Sequence, residues 1–422
     1  MLSNYFLKQE ENKKIAVLGL GREGRATLNF FKKNKIKAEA LDAKFDRNYI
    51  NKLKKYNLIF RTPGFPRLHP KLLAAEKNGA AISSHIKLFF DLCPAKIIGV
   101  TGTKGKTTTA LLIYQILKTK YKNSVFVAGN LGKPALDILS KLNKKSLVIL
   151  ELSSFQLQDL DKSPHIAVIT NITIDHLDPS GKFGPATHQT AKEYFDAKVN
   201  IIKYQSAKDF AVINPSLKNK IKKTGRGKKI YPNPLFFQTK LRGLYNLKNI
   251  ALAIQVGKTL KVPEKNILKA VKNFKGVEHR LKFIKKINGV SFYNDSAATN
   301  PDATLAALKS FNEPIHLILG GSDKGLNYQK LAGYISKSKN VKSVMLIGQL
   351  KNKIYRIFKP RLEFQVKKIK SLKTAVLTAF KNTAKNEVVL LSPGAASFDM
   401  FESYAERGEK FKKLVRGLKS RR

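Results

Sequence analysis

Two short stretches, "IAVLGLGREGRA" from Ile15 and "KIIGVTGTKGKTTTALLIYQIL" from Lys96, limit most strongly what this chain can fold into. Each passes from a β-rich apolar run through clustered glycines into an apolar helical pattern. A strand that feeds a helix through so tight a turn is the unit of a parallel, helix-flanked sheet. In the first, the spacing Gly19-x-Gly21-x-x-Gly24 matches the dinucleotide fingerprint, and a second strand, "IKAEALDAK", ends near Asp42. A helix is expected from about Arg25. The turn is either a diphosphate cradle or a tight structural turn that binds nothing.

The second junction departs from the strict mononucleotide loop, because Val100 stands where the first glycine would fall; Gly99, Gly102 and Gly105 instead precede Lys106 and Thr107. Backbone N–H groups from Gly102 to Thr107, with Thr103, Lys104 and Thr108 in the same turn, can face phosphate oxygens at the positive end of the following helix. Lys106 supplies a point charge for the β- and γ-phosphates, and the Thr107 hydroxyl can ligate Mg²⁺.

At 422 residues the chain is expected to hold roughly three units of 100 to 180 residues. Further runs of strand, polar loop and helix place their boundaries at 1–93, 94–276 and 277–422, all α/β: Rossmann-like first and last, with a parallel-sheet, mononucleotide-binding unit between. The single cysteine, Cys93, excludes an intramolecular disulfide and fits a reducing compartment. Neither a run of about 18 apolar residues nor a signal-peptide core occurs, and a cytoplasmic protein is expected.

Lys plus Arg outnumber Asp plus Glu by 80 to 29, a net charge of +51. That balance suggests a polyanion partner, but the lysines are spread through nearly every segment without a basic tail or nucleic-acid motif. Solvated faces are the simpler reading, and no specific nucleic acid is expected.

Other residues gather at strand ends. Glu151 closes "SLVILE", where a carboxylate can hold Mg²⁺ or serve as an ordinary helix-start or surface acid. Asp175-His176 closes "VITNITIDH", with His176 either a ligand or a structural histidine. Thr299 and Ser397 stand where helix caps are common. By spacing alone, Lys192 is one more surface lysine.

The pieces "GVTGTKGKTTT", "AGNLG", "ELSSFQL", "NITIDHLD", "AKEYF", "EHR", "NDSAATNPDAT", "GGSDKG" and "SPGAASFDMFESYAERG" together resemble the Mur ligases of peptidoglycan synthesis, nearly end to end. The resemblance implies three domains and an ATP-dependent ligase. ATP would phosphorylate the alanyl carboxylate of UDP-N-acetylmuramoyl-L-alanine, and the amine of D-glutamate would displace phosphate from the acyl phosphate. Two Mg²⁺ ions are implied, one held by Thr107 and Glu151, the other near Glu151, His176 and a carbamate on Lys192. Arg22, Glu23, Asp42, Lys44, Thr62 and Gly64 would bind the UDP portion, with Asn130, Ser153 and His176 on the sugar-linked acid.

For ATP the resemblance adds Asn246, Asn249, Arg280 and Asp295; for D-glutamate, His279, Thr299, Lys324, Ser397, Phe398 and Tyr404. A monomer is expected. Tyr245, Ala297 and Tyr404 depart from residues frequent in the family at those places. Addition of lysine or diaminopimelate, folate polyglutamylation, and a basic nucleic-acid-binding NTPase are the alternatives that the phosphate loop and the charge leave open.

Overall fold

The computed structural model describes residues 14–173, 177, 187–235, 237–358 and 365–419. Within them the chain is α/β, built on three sheets. The first holds β1 (Ile15–Leu18), β2 (Glu39–Leu41), β3 (Leu58–Arg61) and β4 (Ala81–Ser84) in the order β2-β1-β3-β4, all parallel. All four residues of β1 are buried, as the near-continuous apolar run of a parallel strand covered on both faces requires.

The following helix, Arg22–Lys33, starts earlier than the glycine pattern suggested, since the Arg25 N–H already donates to the Gly21 carbonyl. Gly24 permits this: a Cβ there would sit 2.0 Å from the Gly19 carbonyl oxygen. The second strand stops at Leu41, one residue short of Asp42. The Asp42 carboxylate accepts the Leu20 and Lys44 amides at 2.6 and 3.0 Å, tying the two loops together.

The second sheet holds β5 (Lys96–Thr101), β6 (Val125–Gly129), β7 (Leu147–Glu151), β8 (Ile166–Ile169), β9 (Phe210–Ile213) and β10 (Lys228–Ile230), ordered β10-β9-β8-β5-β7-β6 and all parallel. The third holds β11 (Lys282–Ile287), β12 (Val290–Asn294), β13 (Ile315–Gly320), β14 (Val341–Ile347), β15 (Gln365–Lys368) and β16 (Val388–Leu391), ordered β11-β12-β16-β13-β14-β15. Only the β11–β12 pair is antiparallel among these. Its two faces bury alternate residues in separate clusters: Leu317, Leu319 and Leu390 on one side, Ile318, Val389 and Leu391 on the other.

The chain divides into two compact units, one of Met1–Phe237 with Leu247–Val271, the other of Gln238–Asn246 with Lys272–Arg422. In the former, one apolar cluster runs from Val17 and Phe60 of the first sheet to Leu150 and Ile169 of the second.

A buried ion pair clamps these first two sheets. Arg61, at the end of β3, and Asp159, after β7, each have side chains 1% exposed and meet at 2.5 Å. The remaining guanidinium donors go to the carbonyls of Phe65 and Phe155, both at 2.6 Å. Arg67 reaches the other Asp159 oxygen at 3.2 Å. Nearby, Gln156 donates to Glu23, whose second oxygen is buried without a hydrogen-bond partner. Burial pushes the Glu23 carboxyl from 4.5 up to about 7, opposed first by the Gln156 bond and then by Arg22.

Removing one partner of a buried pair strands the other charge. Arg61→Met should therefore cost the first unit about 3–5 kcal/mol in urea denaturation, and adding Asp159→Leu should return most of it. A carboxyl whose folded pKa is raised gives stability that is present below its unfolded pKa and is lost as pH rises through the folded one. Glu23→Gln should thus gain on the parent between about pH 4.5 and about 7, the gap widening with pH. A gap constant across that window would show the carboxyl to be ionised throughout.

Candidate active site

The phosphate loop joins β5 to the helix Lys106–Tyr121. Gly105 caps that helix in the left-handed region, φ 84°, and a Cβ there would lie 2.4 Å from the Asn249 Oδ1, so Asn249 packs directly against the turn. The helical ladder begins with the Thr109 N–H on the Gly105 carbonyl, and the amides ahead of it belong to the anion-receiving end of the helix. The turn is narrower as an anion site than its sequence implied. The amides of Thr103 and Lys104 donate to the carbonyl and side chain of Asn171, both at 2.9 Å.

Two lysines meet at this turn. Lys106 donates to the carbonyls of Gly102 and Thr103, each at 2.9 Å, and Lys198 donates to the same Gly102 carbonyl at 3.0 Å. Lys198 is 2% exposed, with its ammonium 4.6 Å from the Tyr194 ring centroid. Tyr194 in turn hydrogen-bonds the Thr103 hydroxyl at 2.9 Å.

Lys192 is elsewhere. Its side chain is 86% exposed, pairs with Asp196 at 2.6 Å, and lines a separate cleft beside Arg67 and Glu76. Both lysines belong to the helix Ala191–Lys203, but its buried residues are Tyr194, Ala197, Lys198, Val199, Ile201 and Ile202. Helical periodicity turns Lys192 away from the loop and Lys198 towards it. The carbamate expected at Lys192 is thus on the wrong face, and a lysine within an apolar stripe is the signal that marks Lys198.

Glu151, at the end of β7, is buried; Asn130 donates to its Oε1 at 3.3 Å, and its Oε2 is buried without a hydrogen-bond partner. A buried carboxylate oxygen left unsatisfied at the end of β7, the strand adjacent to the one that feeds the phosphate loop, suits a hard cation with oxygen ligands. Thr108 is buried in the first turn of the loop helix. His176 lies outside the described residues. His188, which sequence reasoning passed over, is fully buried between the Ser154 hydroxyl (2.9 Å) and Glu193 (3.1 Å), stacked on Phe155.

A cleft of about 460 Å³ opens at the carboxyl ends of the first two sheets. Arg22, Glu23, Asp42, Thr62, Gly64, Asn130 and Ser153 line it, and Lys44 is outside the lining. Arg22 already spans the sheets, donating to the carbonyls of Gly129 (2.6 Å) and Gly132 (3.2 Å). Ser153 caps the short helix Ser154–Leu157 through a reciprocal pair with Gln156, which uses its oxygen and leaves its hydroxyl hydrogen to donate. The amides of the Asp42 loop hold that carboxylate below its usual range, Lys44 foremost.

In the second unit, the loops after β12, β13 and β16 share one edge. His279, at φ 63°, accepts the Ala297 amide on its carbonyl and sets its ring edge-on to Tyr404. Burial lowers its pKa, opposed by Glu409. Lys324 lies 5.4 Å from the Phe398 ring centroid. Neither Thr299 nor Ser397 is a cap: Asn300 caps the helix Pro301–Leu308, Ser403 caps Tyr404–Arg416, and Ser397 is buried between.

Arg407, unassigned from the sequence, holds this edge together. Buried to 1% exposure, it donates to the Ser296 hydroxyl and carbonyl, both at 2.9 Å, and to the carbonyls of Ala395 and Ala396 at 3.0 and 3.1 Å. Burial lowers it to about 10. Asp295, pushed up to about 7 by burial, accepts from Ser392 at 2.8 Å and from the Leu281 amide at 3.0 Å. Arg280 is exposed, and Asn246 bonds the Arg242 carbonyl at 2.6 Å. Asn246 and Asn249 fall in different compact units.

Known proteins share this organisation. The Mur ligase middle domain matches residues 100–233 and the Mur ligase glutamate ligase domain matches residues 279–395. UDP-N-acetylmuramoylalanine–D-glutamate ligase of Clostridium tetani is 36% identical over 98% of this chain and 99% of its own length. That of Acetivibrio thermocellus is 36% identical over 99% of each. Among solved structures, UDP-N-acetylmuramate-alanine ligase MurC from Thermotoga maritima superposes with TM-score 0.59 at 17% identity, covering 97% of this chain and 100% of that one. MurF ligase from the same organism, in complex with ADP, gives 0.58 at 19% identity, covering 97% and 96%. The structural likeness speaks for the fold, and the sequence likeness runs through every module from the glycine turn of β1 to the Arg407 helix: this chain belongs to the Mur ligases.

Proposed function

We propose that the chain ligates D-glutamate to UDP-N-acetylmuramoyl-L-alanine at the expense of ATP, through an acyl phosphate, in peptidoglycan precursor synthesis. The substrates come from the names of the near-full-length relatives. The observation that carries the reading is continuity within one compact unit. The phosphate loop lies at the end of β5, Glu151 at the end of the adjacent β7, and Asn130 bonds Glu151 while lining the 460 Å³ cleft. An anion held at the loop and a sugar-linked carboxylate held in the cleft would thereby be neighbours.

The chemistry needs alignment of two anions and neutralisation of their charge, and no side-chain nucleophile. Lys106 and the helix start receive phosphate oxygens. Thr107 and Glu151 are the residues that would hold Mg²⁺, which when bound supplies positive charge to phosphate oxygens. Arg280 and Asp295 belong to the ATP partners in the second unit. His279, Thr299, Lys324, Ser397, Phe398 and Tyr404 form its amino-acid site, with Lys324 offering a cation to a dicarboxylate. We assign the carbamate to Lys198: a carbamate there would replace a buried cation by an anionic oxygen donor beside the loop.

Purified protein given ATP, Mg²⁺ and UDP-N-acetylmuramoyl-L-alanine with a panel of amino acids should couple D-glutamate and release ADP. Coupling of lysine or diaminopimelate in its place would overturn the assignment. Lys198→Ala should lower kcat by about 10²–10³-fold, while Lys192→Ala stays near the parent. Partial rescue of Lys198→Ala by formate or acetate would support the carbamate, whereas loss without rescue would leave Lys198 as a support of the loop carbonyl.

A further inference from the structure

A second crevice lies over the face of the third sheet that buries Ile318, Val389 and Leu391. There the helices Leu372–Lys381 and Tyr404–Arg416 leave a crevice of about 530 Å³. We propose that this crevice binds an anionic phospholipid of a bilayer surface, taking an acyl chain between the helices and the acidic head group at its lysine rim.

Val376 and Leu377 wall it on one side, Phe401, Leu414 and Leu418 on the other. Its volume falls within the roughly 300–1,000 Å³ usual for small-ligand sites. Leu377 is 47% exposed, and Phe401, Leu414 and Leu418 are only partly buried against the core beneath. The polar groups of the lining are those of Lys373, Lys410 and Lys413, with no carboxylate among them. Lys410 stands at the lip, 5.3 Å from the Phe401 ring centroid, and also pairs with Glu406 at 2.7 Å. Glu409, the next acid on that helix, is engaged by Lys412 at 2.6 Å. Lys419 follows the crevice, and Ser420 and two arginines come after it in the sequence.

This chemistry selects the occupant. Apart from ammonium groups the walls offer nothing to a hydrogen-bonding ligand, so a peptide or a nucleic acid would leave polar groups unpaired there. An alkyl chain has none to satisfy, and an acidic head group matches the rim. Each basic residue near an anionic leaflet adds attraction, which the net charge of +51 extends over the molecule.

The test must separate the crevice from that general charge. Co-sedimentation would be measured at about 0.15 M salt with vesicles of phosphatidylcholine alone and of phosphatidylcholine mixed with phosphatidylglycerol. The parent should sediment with the mixed vesicles and not with the neutral ones. Leu377→Gln with Leu418→Gln leaves the charge unchanged at two surface positions; binding should fall at least about 5-fold while the thermal transition stays in place. Lys32→Gln with Lys33→Gln, on a helix of the first module, should retain most of it. The proposal is overturned if the parent does not bind, if neutral vesicles bind equally, if the leucine variant binds like the parent, or if the control loses as much as the leucine variant.

Discussion

A guanidinium removed from water must have every donor answered, and two such groups organise this molecule. Arg61 answers its donors with the Asp159 carboxylate and with backbone carbonyls from the segments that follow β3 and β7. The loop that follows Arg61 and the segment that precedes Asp159 both line the 460 Å³ cleft, so the pair holds two of its sides together. A buried ion pair is weak evidence for stability, because desolvation offsets much of the Coulomb attraction. Its effect here is geometric: few other arrangements of the two sheets would satisfy both charges.

Arg407 does the same work without a carboxylate. Its donors end on carbonyls and one hydroxyl from two loops, and Ser296 in turn bonds the Tyr404 carbonyl. Arginine suits the position because its planar fork reaches several carbonyls at once, which a lysine could not do. The loops after β12 and β16 are therefore spaced by one side chain from the helix Tyr404–Arg416.

Much of this was legible beforehand. Glycine spacing marked both strand-to-helix turns, and apolar runs ending in polar residues marked the strand ends where Glu151, Thr62 and Asp295 stand. Residues whose meaning depends on facing another element were not legible. Arg61 and Asp159 are 98 residues apart, and nothing local pairs them. Composition conceals Lys198: in so lysine-rich a chain what distinguishes it is its burial on one face of a helix, whereas Lys192, to which the motif pointed, is exposed on the same helix. The helix caps fall one and six positions beyond Thr299 and Ser397, because Asn300 and Ser403 hold the extended backbone from which those helices start. His188 was overshadowed by His176.

Asn171 accepts the Thr103 and Lys104 amides of the phosphate loop. Thr170 and Asn171 both donate to the Lys104 carbonyl, and Thr103 exchanges hydrogen bonds with Thr173 through its hydroxyl. The loop after β5 and the chain leaving β8 are in effect laced into a single ribbon. Tension applied to one is transmitted to the other, so the nucleotide pocket inherits its tautness from a segment that belongs to a neighbouring strand.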